Sequence, residues 1–192
     1  MAGNLVASFV RVRGQRDRIY VHRSDGSEVS WVFPTYGEGL PHDLVHLVVE
    51  AAFGLRTGFW GRVDAGVDPA RVNDEARLRG ARAARSKGGA EKYLGFGADR
   101  AELMLAEGLA AAPWFDPEVS EAAVVETCAR LGARAPGSLT PERVHDVRSV
   151  LLALRTRWRR IETKGTLRLE FFADDPSRGF DAMRAAPVDE PS

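Results

Sequence analysis

The chain has little cysteine, little lysine and no long apolar run. One cysteine among 192 residues, Cys128, excludes an intramolecular disulfide and is typical of a reducing compartment. No apolar segment approaches the roughly 20 residues that a membrane-spanning helix needs. The first residues also lack the basic leader and the apolar stretch of a secretory signal. We therefore expect a cytoplasmic protein with no membrane partner.

Charge of either sign is not in excess. Lys+Arg and Asp+Glu both number 27, so no overall field attracts nucleic acid or an anionic surface. One predicted helix nevertheless ends in five basic residues: Arg155, Arg157, Arg159, Arg160 and Lys164. The helix dipole stabilises cations there without any partner, so a nucleic-acid partner is not favoured. The alternative that stays open is a non-enzymatic binding or assembly protein that docks a protein or nucleic acid through this helix.

The first third of the chain predicts β-structure. Asp25-Gly26 lies between two segments rich in β-forming residues, which is a strong signal for a hairpin with a two-residue turn. Such a turn would pair His22 with Val29 and Tyr20 with Trp31. That register places His22 on the aromatic face of the hairpin, which we expect to be the buried one.

The rest of the chain predicts helices followed by one strand. A helix should begin at His42 and end near Gly54, and a longer one should begin at Thr140-Pro141. Residues 57–61 are rich in glycine and predict a loop, whereas Asp116-Pro117 predicts a helix start.

These elements predict an α+β fold of one domain. Residues 166–172 alternate in polarity and should join the N-terminal hairpin in a small antiparallel sheet, packed by four to six helices. The length suits one buried core, which we assign to residues 1–172. Residues 173–192 have little apolar content and predict a flexible tail.

The most informative segment runs from His42 to Glu50. His42 and His46 lie four residues apart on a predicted helix, so they share one face, and this spacing suits a transition metal such as zinc. With about 100° per residue, His42, Asp43, His46 and Glu50 form the polar stripe of an otherwise apolar helix. Either the stripe is simply the solvated face of the helix or it is a metal site of a metal-dependent hydrolase.

The histidine pair alone is half of a mononuclear site. A catalytic zinc ion needs a third protein ligand and an open position for water. Glu50 is about 12 Å along the helix axis from His42, too far to share its ion, so Glu50 would support a ligand or be an alternative ligand. We expect His22 as the third metal ligand. The sequence also leaves open three acidic residues downstream, Asp64, Asp74 and Glu75.

The His-Asp-x-x-His phrase resembles the His-Glu-x-x-His helix of zinc peptidases, with aspartate in place of glutamate. The resemblance implies that Asp43 is the catalytic general base beside a metal-bound water. A wider set of phrases is Trp31-Val-Phe-Pro-Thr-Tyr-Gly37, Leu40-Pro-His-Asp-Leu-Val-His46 and Gly58-Phe-Trp-Gly61. These phrases resemble a family of small bacterial proteins without an assigned activity, over residues 18–75. The sequence also leaves a homo-oligomer open.

Overall fold

The structure is a computed structural model that describes residues 3–12, 15–32, 39–72 and 97–186, with backbone alone at 97–99. The strands are β1 Leu5–Val10, β2 Arg18–His22, β3 Glu28–Val32 and β4 Thr166–Phe171. Six helices with assigned bounds lie in the described ranges. They are α1 His42–Phe53, α2 Phe59–Asp64, α3 Gly97–Ala110, α4 Glu121–Arg130, α5 Pro141–Arg160 and α6 Pro176–Ala185. The predicted α+β fold is confirmed.

The four strands form one antiparallel sheet in the order β3-β2-β1-β4. The C-terminal strand joins this sheet, as predicted, and its partner there is β1. Side chains alternate between the two faces, because successive residues of a strand point to opposite sides. The core face carries buried residues from β1, β2 and β4: Leu5, Ala7, Phe9, Ile19, Val21, Leu167, Leu169 and Phe171.

The hairpin is present at the predicted place, but its register is shifted by one residue. The Arg23 amide donates to the Ser27 carbonyl at 2.8 Å, which leaves a three-residue loop rather than a two-residue turn. Gly26 closes this loop with a φ of 85°, the left-handed geometry usual in three-residue hairpins. A shift of one residue exchanges the faces of one strand relative to its partner, and here the side chains of β2 change face. Hence His22 pairs with Glu28 on the solvent face, and Val21 with Val29 on the core face.

Helix α1 lies at the centre of the molecule. It begins after Pro41 and ends at Gly54, whose φ of 68° gives the left-handed C-cap that glycine adopts without strain. Every residue of α1 except His42 is buried. Helices α2, α3, α5 and α6 all pack against it. The polar members of its stripe are therefore enclosed by protein, and the solvated-face interpretation is wrong for Asp43, His46 and Glu50.

Two local predictions between the long helices are wrong. The predicted loop at 57–61 is wrong for residues 59–61, because α2 begins at Phe59 with its side chain fully buried. Asp116-Pro117 does not start a helix; the Asp116 carboxylate accepts from the Glu118 amide in a turn, and α4 begins after Ser120. By contrast, the start of α5 at Thr140-Pro141 is confirmed, since the Thr140 hydroxyl accepts from the Arg143 amide at 3.2 Å.

The flexible-tail prediction is wrong for residues 173–186. Helix α6 packs against α1, and its Phe180 is fully buried. Gly179 lets α6 approach β4 closely, since a Cβ there would lie 3.1 Å from the Glu170 carbonyl oxygen. Residues 187–192 lie outside the described ranges, and the one-domain boundary stays a prediction. Within the described ranges, no helix combines the length and apolar character that crossing a bilayer requires.

Candidate metal centre

The two histidines of α1 meet at its N-terminal half. Their positions one helical turn apart stack the side chains on one face. The ring centroids lie 4.9 Å apart with the rings nearly perpendicular, at 88°. His46 is buried, whereas His42 stays exposed at the surface. One histidine of the pair therefore lies at the surface of the protein and the other in its interior.

Glu107 on α3 supplies a third metal-binding group beside the pair. Its carboxylate Oε1 lies 3.5 Å from His46 Nε2, and its side chain is partly exposed. One ligand atom from each of His42, His46 and Glu107 can be chosen so that all lie within 4.8 Å of one another. A tetrahedral zinc ion with bonds of about 2.0–2.1 Å holds its ligand atoms about 3.3–3.5 Å apart. The His46–Glu107 separation already matches this spacing, and rotation of the side chains can bring the remaining atoms closer.

The other nitrogen of the His46 ring, Nδ1, contacts Glu50. His46 Nδ1 lies 3.3 Å from Glu50 Oε1, a contact between two fully enclosed side chains. Both carboxylate oxygens of Glu50 also accept backbone N–H groups, from Phe59 to Oε1 and from Trp60 to Oε2, each at 2.9 Å. With Glu50 ionised, both of its oxygens only accept, and Nδ1 of His46 is then the donor of this contact. Nε2 is then the nitrogen that faces His42 and Glu107.

Asp43 is fixed by two tryptophans. The Trp31 indole N–H donates to Asp43 Oδ2 at 2.9 Å, and the Trp60 indole N–H donates to the Asp43 backbone carbonyl at 2.8 Å. Phe59 joins these rings by packing on both Trp31 and His46. A rigid aromatic wall therefore lines one side of the centre and holds the aspartate in one orientation.

The electrostatics of the two histidines differ. Burial alone would lower the pKa of His46, but the hydrogen bond to Glu50 and the charges of Glu107, Glu50 and Asp43 outweigh it and raise that pKa above 6.5. Desolvation by its neighbours, together with the charge of His46, lowers the pKa of His42 to about 4. Burial raises the pKa of both the Asp43 and the Glu50 carboxyl groups. Acidic groups thus surround His46 and favour a cation at its position.

The structure does not bring the predicted third ligand, His22, to this group. The shifted hairpin register puts it on the solvent face of the sheet, where its Nδ1 pairs with Glu28 at 2.9 Å. Asp64 accepts from the Ser24 amide and hydroxyl, each at 2.8 Å, and so anchors the hairpin tip. The remaining two options, Asp74 and Glu75, lie outside the described residues.

Glu107 is the residue that sequence reasoning missed. It lies far along the chain from α1, and no spacing rule connects the two helices. The available signal is local: Glu107 is an acidic residue within the mostly apolar segment 103–110 of α3, next to buried Ala106. An acidic side chain in such a segment indicates an inward-facing polar role.

Comparison of the chain with protein-family models, with curated proteins and with solved structures gives no match in any of the three. The resemblance to small bacterial proteins over residues 18–75 stays a prediction.

Proposed function

We propose that the protein binds one divalent transition metal ion, with zinc as the first candidate, through His42, His46 and Glu107. The observation that carries the proposal is the approach of two imidazoles and one carboxylate to within 4.8 Å of one another. Two histidines and one glutamate are a known ligand set of catalytic zinc sites. Non-haem iron(II) also accepts two histidines and one carboxylate, so the ion need not be zinc.

The surroundings of His46 favour a bound cation over a merely structural histidine. A buried histidine needs one partner for each ring nitrogen, and Glu50 already satisfies Nδ1. Glu107 beside Nε2 adds a second carboxylate, so two acidic groups flank one imidazole ring. A metal ion between Nε2 and this carboxylate would compensate the charge of the carboxylate. It would also explain why the His42 ring packs against the His46 ring.

We further propose that the centre serves a hydrolytic reaction. Three protein ligands leave a coordination position for water, and the exposed side of His42 gives access to it. A bound divalent ion of this kind supplies a water of lowered pKa at neutral pH. Asp43 follows the first ligand in sequence and is the candidate general base, held in place by the Trp31 indole.

Metal content of the purified, untagged protein tests the metal proposal. We expect about one equivalent of transition metal per chain by elemental analysis, and loss of this metal in the His42→Ala/His46→Ala double variant. The matched control is His22→Ala/His145→Ala, because these two histidines are exposed outside the centre. No metal in the wild type, together with no rise in melting temperature on adding zinc, would refute the proposal. That result would favour the non-enzymatic binding alternative.

A further inference from the structure

One carboxylate serves both the candidate metal centre and the start of a neighbouring helix. Glu50 contacts His46 Nδ1 and accepts the amides of Phe59 and Trp60, the first two residues of α2. These amides are among the N–H groups that a helix cannot satisfy internally. The metal-facing imidazole and the connection between α1 and α2 are therefore joined through a single buried side chain.

Gly58 makes this arrangement sterically feasible. A Cβ on residue 58 would lie 2.6 Å from Glu50 Cδ and 2.7 Å from its Oε2. The backbone of Gly58 has a φ of −68°, so strain is not the reason for glycine here. The reason is the space that the carboxylate occupies. Glu50 itself has little room to move, because its oxygens are held by the imidazole and by two backbone amides.

We infer that Glu50 is a positioning residue that ties the metal-binding nitrogen of His46 to the start of α2, so that metal binding and the α1–α2 connection stabilise each other. The inference rests on the proposed metal site. Its physical basis is that a metal ion on Nε2 withdraws charge from the ring and makes the Nδ1–H a stronger donor to Glu50. Coupling of this kind is reciprocal: if metal binding stabilises the α1–α2 connection, a change that displaces this connection weakens metal binding.

Gly58→Ala tests the coupling without removing a ligand or the carboxylate. The added methyl group must displace the Glu50 carboxylate from its present position. We expect the zinc affinity to fall about 10–100-fold, the range found when the hydrogen-bond partner of a metal-binding histidine is lost. Gly39→Ala is the matched control, since a Cβ there meets nothing within 4 Å although His42 is close in sequence. The control should bind zinc like the wild type.

Two measurements on the wild type keep the inference testable if Gly58→Ala does not fold. Nitrogen-15 spectra of the zinc-loaded protein should show His46 protonated at Nδ1 and bound to metal through Nε2. Amide exchange at Phe59 and Trp60 should slow on zinc loading by more than exchange at Ala123, whose amide is held by Ser120 on α4. Metal bound through Nδ1, or equal slowing at all three amides, would overturn the inference.

The possible failures are distinguishable. A wild type that holds no transition metal when purified and gains none from added zinc refutes the proposed function. A wild type that binds zinc as tightly as a folded Gly58→Ala variant leaves the metal site standing and refutes the role of Glu50. A Gly58→Ala variant that is weakened together with Gly39→Ala also refutes it, because the loss would then not depend on the Glu50 contact.

Discussion

Glu107 Oε1 lies 3.5 Å from His46 Nε2, although the two residues belong to helices far apart in the chain. This contact joins α3 to the central helix α1 and completes a set of three groups that could hold a metal ion. The set places the candidate centre between two helices, with one histidine in the interior and one at the surface.

Glu107→Gln should weaken zinc binding more than any change outside the three ligands. The amide keeps the size of the side chain but loses the charge and the oxygen pair that bind the ion. We expect a loss larger than the roughly 10–100-fold that follows when only a ligand's hydrogen-bond partner is removed. Competition with a chromophoric chelator measures the affinity. The control is Glu126→Gln, an exposed acidic residue of α4; equal affinities in the two variants would exclude Glu107 as a ligand.

His22→Ala should leave zinc affinity and stoichiometry unchanged. The side chain of His22 is 60% exposed and is paired with Glu28 on the solvent face of the sheet. Zinc titration monitored by calorimetry provides the comparison with the wild type. A variant with half the stoichiometry or a much weaker site would show that His22 binds the metal after all.

Zinc affinity should depend on pH through His46. Metal and proton compete for the same imidazole nitrogens, so affinity falls as pH falls through the pKa of each ligand in the folded protein. The pKa of His46 is raised above 6.5 and that of His42 is lowered to about 4. Zinc affinity should therefore fall as the pH is lowered. The fall should begin above pH 6.5, the ordinary histidine pKa, and involve the one proton that His46 takes up.

The expected slope is about tenfold in affinity per pH unit, the value for a single competing proton, at pH values below the raised pKa of His46 and above the His42 pKa of about 4. Chelator competition at a series of pH values measures it. A slope corresponding to two protons in this range would show that both histidines titrate together. An affinity independent of pH in this range would show that His46 is not a ligand.

Phe180→Ala should destabilise the protein by about 3–5 kcal/mol, the usual cost of removing a buried aromatic side chain. Phe180 is fully buried, and it lies on α6, which packs against α1. Urea unfolding measures the change. Asp181→Ala is an exposed neighbour on the same helix and should change stability by no more than about 0.5 kcal/mol. Equal stabilities of the two variants would contradict the packing of α6.

The sequence predicts much of the fold because short-range signals are strong in this chain. The start of α5 follows from Thr140-Pro141, and the end of α1 follows from Gly54. The hairpin is also predicted, but an Asp-Gly pair suits both a two-residue and a three-residue loop. The flanking residues do not distinguish these loops, and a single residue decides which face His22 occupies.

The remaining errors share one physical cause, which is tertiary packing. The predicted tail is ordered as far as α6, where one buried phenylalanine anchors a segment of low apolar content. The histidine pair of α1 can be predicted from the sequence because its two members are one helical turn apart. The proximity of Glu107 to His46 cannot be predicted from sequence spacing, since only the packing of α3 on α1 brings the two residues together.

A crystal structure of the zinc-loaded protein, with anomalous data collected at the zinc edge, tests the central claim most directly. The account predicts one strong anomalous peak per chain, about 2.0–2.2 Å from a nitrogen of His42, Nε2 of His46 and a carboxylate oxygen of Glu107. The absence of a peak at this position, or a peak at His22 or His145 instead, would contradict it.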